Sequence, residues 1–282
     1  MDNQNNFFEN KIAVVTGGGG LLCSTIAIAL ASRKAKVILL GRHLEKLLPV
    51  KDQIEKNKGT AFAFECDTCD EESVQRIADK IQKEIGLCDF LVNGAGGNNS
   101  NAVTSIVEFD EKELNPENNI KGFYSLDMNE FSKVIINNTM GTVIPTKIFS
   151  KHMVGKGGSI VNFGSMNSYC PLTKVPAYAI AKAGIVNWTQ WAATYFAPAG
   201  IRINAVAPGF FVNDRSIKLL GTVETGLTAR GKAVIDHTPL RRFGKSEDMV
   251  GSVLWLLNNE ESSFVTGITI PVDGGFLAKS GV

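Results

Sequence analysis

Lys11-Ile-Ala-Val-Val-Thr16, then Gly17-Gly-Gly-Gly20, then Leu21 through Arg33, then Ala35-Lys-Val-Ile-Leu-Leu40: this opening stretch decides the fold. The first run is short, apolar and without alternation, the pattern of a strand covered on both faces. Four glycines break it. A segment rich in Ala, Ile and Leu follows and reads as a buried helix. The second apolar run, closed by Gly41-Arg42, reads as another strand. Strand, glycine turn, helix and strand make a right-handed βαβ unit of a parallel sheet. Such a turn also lets a phosphate approach the backbone, where the helix N-terminus favours negative charge.

The alternation continues outward from this unit. Helices are predicted over 44–57, 71–85, 129–153, 176–196 and 247–257. Strands are predicted over 60–65, 88–93, 159–163, 201–206 and 266–272. Two stretches, 98–127 and 210–238, break the rhythm. They follow strands four and six at their C-terminal ends, the edge where open parallel sheets bind ligands. The expectation is a single α/β domain over 1–282: a Rossmann-type, doubly wound, seven-stranded parallel sheet flanked by helices on both faces. The two irregular stretches are its variable substrate loops.

Composition narrows the function. Twenty-nine basic against 28 acidic residues leave a net charge of +1, with no basic excess to mark a nucleic-acid protein. No run of about 18 apolar residues exists, so no membrane partner is expected. The first residues lack the charged and apolar regions of a signal peptide. Five cysteines are an odd number and read as reduced thiols of a cytoplasmic protein. Cys66 and Cys69 have no second pair at zinc spacing, and His43, His152 and His237 do not cluster, so no metal is expected. His152 is expected to cap a helix end.

Tyr178 and Lys182 carry the chemistry. Four residues apart, they share one face of a helix. A free phenol has a pKa near 10, and a nearby ammonium lowers it toward the range of a working acid–base. Such a tyrosine can exchange a proton with a substrate oxygen while hydride moves to or from a nicotinamide.

With these residues in place, nearly the whole chain resembles the short-chain dehydrogenase/reductase family. The resemblance implies a catalytic set of Asn138 (in Asn138-Thr-Met-Gly141), Ser165, Tyr178 and Lys182, with Ser165 13 residues before Tyr178. It implies an NAD(P)(H) cofactor held by Gly17, Gly19, Gly20, Leu21 and Leu22 at the turn. Further contacts would come from Asp67, from Asn93, Ala95 and Gly96, from Pro208 and Gly209, and from Tyr178 and Lys182. Leu21 and Cys23 stand where the family has its last two glycines, so the turn departs from the pattern. Asn93-Gly94-Ala95-Gly96 resembles the family's Asn-Asn-Ala-Gly element. No acid follows Gly41 to accept a ribose hydroxyl. Arg42 stands there instead, which leans toward NADP.

A narrower likeness concerns substrate. The run from Asn93 to Asn99, Ala207-Pro-Gly-Phe-Phe211, Arg242-Phe-Gly-Lys245 and the tail from Val272 resemble one subgroup of the family, the D-mannonate oxidoreductases (fructuronate reductases). The substrate would be a small sugar acid, met by Asn98 and Asn167. Asn99, Asn213, Arg215, Lys218 and Arg230 are further candidates for its hydroxyls and carboxylate. A gluconate 5-dehydrogenase or 3-oxoacyl reductase is the nearby alternative, and a cofactor-binding regulator without catalysis the remote one. The family resemblance also implies a homotetramer.

Overall fold

The computed structural model describes residues 7–212, 214–222 and 226–280, without the side chains of 214 and 215. Seven parallel strands form one sheet. They are β1 (Ile12–Thr16), β2 (Lys36–Gly41), β3 (Thr60–Glu65), β4 (Phe90–Asn93), β5 (Gly158–Phe163), β6 (Ile201–Pro208) and β9 (Thr269–Val272). Across the sheet their order is β3-β2-β1-β4-β5-β6-β9. The apolar runs are strands because both faces are covered: every residue of β1, β4, β5 and β6 is buried.

Helices α1 (Leu21–Ala31), α2 (Leu44–Lys56) and α8 (Val250–Leu257) contribute to one core. Helices α3 (Glu71–Glu84), α4 (Met128–Phe149) and α5 (Pro176–Phe196) contribute to the other. The fold is the expected doubly wound Rossmann type. The strand order reverses between β1 and β4, and the crevice outside their C-terminal ends is where such sheets take ligands.

The two irregular stretches have structure that the sequence pattern does not reveal. Residues 98–127 carry four short 3₁₀ turns, closed at the base by Ser105 and Lys121. Residues 210–238 hold α6 (Asp214–Leu220), a hairpin of β7 (Gly221–Thr222) with β8 (Gly226–Leu227), and α7 (Ala229–His237). Helix α4 has Pro145 inside it, so Gly141 O loses its usual donor. The hydroxyls of Thr139, Thr142 and Thr146 each bond the carbonyl four residues back. Bonds of this kind loosen a helix.

Two buried polar groups anchor the frame. Arg202, on β6, is 8% exposed and has no carboxylate partner among the described residues. Its guanidinium donates to Asn259 Oδ1 (2.6 and 2.9 Å), Leu256 O (2.8 Å), Val265 O (3.1 Å) and Ser159 Oγ (3.2 Å). Burial pushes its pKa down to about 10. His152, expected to cap a helix end, bonds a backbone amide outside that helix instead. It is buried in the turn after α4, where Nδ1 accepts from Cys88 N at 3.3 Å, and burial pushes its pKa down.

Candidate active site

The glycine turn leaves β1 with Gly17 at φ +65°, and a Cβ there would lie 2.9–3.0 Å from Gly94 O and Ala95. Gly20 caps α1 with no side-chain hydrogen bond, and no acid stands in the first turn. The helix N-terminus is thus open to a phosphate. The departure at Leu21 and Cys23 is absorbed locally. Leu21 turns its side chain to the rim. Cys23 packs inward, its sulfur filling the space where a side chain on Gly94 would stand. A glycine at 94 is what admits a cysteine at 23.

The Gly94–Gly97 strap is pinned from both sides. Thr16 Oγ1 accepts from Gly94 N and Ala95 N, both at 3.1 Å. Asn138 donates through Nδ2 to Gly97 O at 2.7 Å and accepts from Gly97 N at 3.1 Å. A Cβ on Gly96 would run into the Asn138 carboxamide.

A cavity of about 790 Å³ runs along this turn, walled by Gly17, Gly19, Gly20, Leu21, Arg42, Ala95 and Gly96. It adjoins a second of about 310 Å³ that holds Leu22, Ser165, Tyr178, Lys182, Pro208 and Gly209. Open helix amides, a side-chain-free turn and a basic far end fit a dinucleotide. Asp67 and Asn93 stand outside both cavities. Asp67 is exposed and accepts from Cys69 N, while Asn93 is buried in the interior.

Several lining residues escaped the sequence reading. His43 and Lys46 lie beside Arg42, and their position just after it was the available signal. Phe211 follows Pro208-Gly209 in the chain. Cys66 and Thr68 flank Asp67, whereas Val212 and Ile217 reach the groove from the 210–238 segment with no signal in the pattern.

Ser165, Tyr178 and Lys182 converge in the smaller cavity. Helix α5 begins with Pro176 at its first turn, which sets Tyr178 and Lys182 on the inward face. Ser165 Oγ accepts from Asn167 N at 3.1 Å, and its hydroxyl stands close enough to the Tyr178 phenol to lower the phenol's pKa. Lys182 Nζ donates to Phe163 O at 2.7 Å and sits 5.6 Å from the centre of the Tyr178 ring. Asn138 lies behind the strap, fully buried, and reaches the cleft through Gly97.

The electrostatics differ from the expected picture. Burial raises the Tyr178 phenol, and Ser165 offsets part of that. Burial pushes the Lys182 ammonium down to about 8, with Cys23 opposing. Lys182 is therefore charged below that pH and neutral above it. Since kcat/KM for the cofactor reports ionisations of the free enzyme, it should hold level at lower pH and fall above about 8. A profile flat to pH 9.5 would contradict this.

The predicted substrate residues are not gathered at the site. Asn98 is exposed, its Oδ1 accepting from Asn99 N at 2.9 Å. Asn99 donates to Glu130 Oε2 at 2.5 Å. Asn167 is buried, and its Oδ1 holds Leu172 N at 2.6 Å. Neither Asn98 nor Asn167 lines the two cavities. Lys218 is exposed on α6 and Arg230 half-buried on α7. Asn213 and the Arg215 side chain lie outside the described residues.

Comparison with known proteins agrees with this geometry. Residues 11–220 match the family model for short chain dehydrogenases. An uncharacterised oxidoreductase of Haemophilus influenzae is 43% identical over 279 residues, which cover 99% of this chain and 97% of that protein. A solved Haemophilus structure, described as a candidate D-mannonate oxidoreductase with bound NAD, is 42% identical and superposes with a TM-score of 0.93 over 99% of both chains. A candidate gluconate 5-dehydrogenase from Beutenbergia cavernae, with bound NADP, is 28% identical at a TM-score of 0.79, over 96% of this chain and 98% of its own.

Proposed function

The chain belongs to the short-chain dehydrogenase family, and from that premise we propose that it interconverts a sugar-acid ketone and its secondary alcohol, D-fructuronate and D-mannonate, with NAD(P)(H). The convergence of Ser165, Tyr178 and Lys182 beneath an open glycine turn carries the reaction. The description of the 42%-identical Haemophilus structure supports the substrate.

The nicotinamide, when bound, supplies or accepts the hydride. Tyr178 gives its proton to the substrate oxygen in reduction and recovers it in oxidation. Ser165 hydrogen-bonds the same oxygen through its hydroxyl hydrogen. Lys182, held by Phe163 O, places its charge beside the phenol ring and stabilises the phenolate left behind. Asn138 holds the Gly97 strap against the cleft.

NAD in the Haemophilus structure supports the cofactor class. For preference, Arg42, His43 and Lys46 share the wall of the larger cavity, and among the described residues no acid lines it. That charge favours the phosphate of NADP. Arg42→Ala should raise KM for NADPH about tenfold, the loss of one charge-assisted contact, and change KM for NADH little. Equal changes for both would remove the preference. We also place the protein in the cytoplasm as a homotetramer, to be checked by light scattering.

The deciding assay is oxidation of NADH and of NADPH with D-fructuronate, set against 5-ketogluconate and a 3-oxoacyl thioester. Selective turnover of fructuronate is expected. Selective turnover of either competitor moves the substrate to that class, and cofactor binding without any turnover favours a regulator.

A further inference from the structure

Behind the cleft, a set of fully buried polar side chains joins the two helices that frame the site. Asn93, at the end of β4, directs both amide hydrogens inward. Its Nδ2 donates to Thr146 Oγ1 on α4 and to Asn162 Oδ1 on the neighbouring strand β5, each at 2.9 Å. From Thr146 the path runs up α4: Thr146 Oγ1 donates to Thr142 O (2.8 Å), and Thr142 Oγ1 to Asn138 O (3.1 Å). From Asn162 it runs into α5: Asn162 Nδ2 donates to Thr189 Oγ1 (3.0 Å), and Thr189 Oγ1 to Ile185 O (2.7 Å), just beyond Lys182. Asn93, Asn138, Thr142, Thr146, Asn162 and Thr189 are each at most 1% exposed.

Hydrocarbon side chains would fill this space without the cost of burying amides and hydroxyls. The cost here is not fully offset within the protein, since Asn93 Oδ1 is buried with no partner among the described residues. What the polar set provides is a single arrangement. Thr146 and Thr189 each have one hydrogen, already given to a helix carbonyl, so toward the amides they can only accept. Turning either amide over breaks its bond to a threonine. An apolar seam could slide, whereas this one has a defined register. It also meets α4 where that helix is softened by Pro145 and by its threonine back-bonds.

We infer that Asn162, Thr146 and Thr189 are positioning residues: through Asn93 they hold α4 against α5, so that Asn138 and its Gly97 strap keep their register with Tyr178 and Lys182. The inference rests on the assignment of those residues proposed above.

The test compares Thr189→Val and Thr146→Val, which keep the shape and remove the hydroxyl, with Thr189→Ser, which keeps the hydroxyl. Both valine variants should fold and lose about tenfold in kcat while KM for the cofactor stays within about twofold, since small misplacements tax the chemical step. Thr189→Ser should remain within about twofold of the parent. Crystal structures of the valine variants should show the 138–142 turn of α4 displaced relative to Lys182. An unchanged kcat with a lower melting point would overturn the inference, as would a serine variant as impaired as the valine one, or superposable helices. Tyr178→Phe in the same assay separates the two readings. If that variant keeps the parent rate, or if the parent turns over no ketone, the site assignment fails, and the helix displacement alone decides the bridge.

Discussion

Tyr178→Phe should lower kcat by about 10³-fold while leaving cofactor binding within about threefold. The phenol is the only proton donor among the described residues of the smaller cavity that stands beside both a hydroxyl partner and an ammonium. Phenylalanine keeps the ring, so the packing against Lys182 survives and the proton alone is lost. Positioned acid–base groups contribute about 10²–10⁴-fold. The upper part of that range applies here because Ser165 can polarise the substrate oxygen but is too weak an acid to supply the one proton that must accompany the hydride. Turnover with fructuronate, or whichever ketone the parent accepts, is measured alongside nicotinamide fluorescence on binding. A variant retaining a tenth of the parent rate would place the proton donor elsewhere.

Arg202→Leu should remove about 3–5 kcal/mol of stability, on the scale of several lost charge-assisted hydrogen bonds. The guanidinium ties β6 to β5 through Ser159, to the C-terminal end of α8 through Leu256, and to the following loop through Asn259 and Val265. Leucine restores part of the volume but leaves carbonyls unpaired in the core. The melting temperature should fall by about 10 °C, with KM in the surviving folded fraction unchanged, because Arg202 lines neither cavity of the cleft. Arg202→Lys should be intermediate, since one ammonium cannot reach all four acceptor residues. A leucine variant melting within 2 °C of the parent would show that solvent satisfies those acceptors.

Much of the fold was legible because the βαβ rhythm is written in local pattern. All seven sheet strands fall on short apolar runs, and five of them, β1, β2, β4, β5 and β6, end at glycine or proline. The boundaries shifted little: the helix read over 129–153 ends as an α-helix at Phe149 and tightens into a 3₁₀ turn. Helix α6 was not legible, because seven residues cannot establish a period and its cover over the groove depends on Ile217 meeting a turn some 200 positions earlier. Tyr178 and Lys182 were readable because a helix alone sets their spacing. Val212 and Ile217 join the larger cavity by tertiary approach, which spacing does not encode, whereas His43, Lys46 and Phe211 were signalled only by their place beside segments already read. Asn98 and Asn167 show the converse. Their position near site segments was visible, but the backbone groups that engage their side chains were not.

The Cys23–Gly94 contact sets an order on evolutionary change. Relative to the family pattern, the two positions have exchanged bulk: a side chain appears at 23 and vanishes at 94. Reversal beginning at 94 drives an asparagine into the cysteine sulfur, within a strap that Thr16 and Asn138 already fix. Reversal beginning at 23 leaves only an empty space of about one thiol. A lineage crossing between the two states therefore passes through glycine at both positions, and a saturation scan of 94 alone would record an intolerance that belongs to the pair. Ancestral reconstruction, or a combinatorial library across this family, should treat the two codons as one allele.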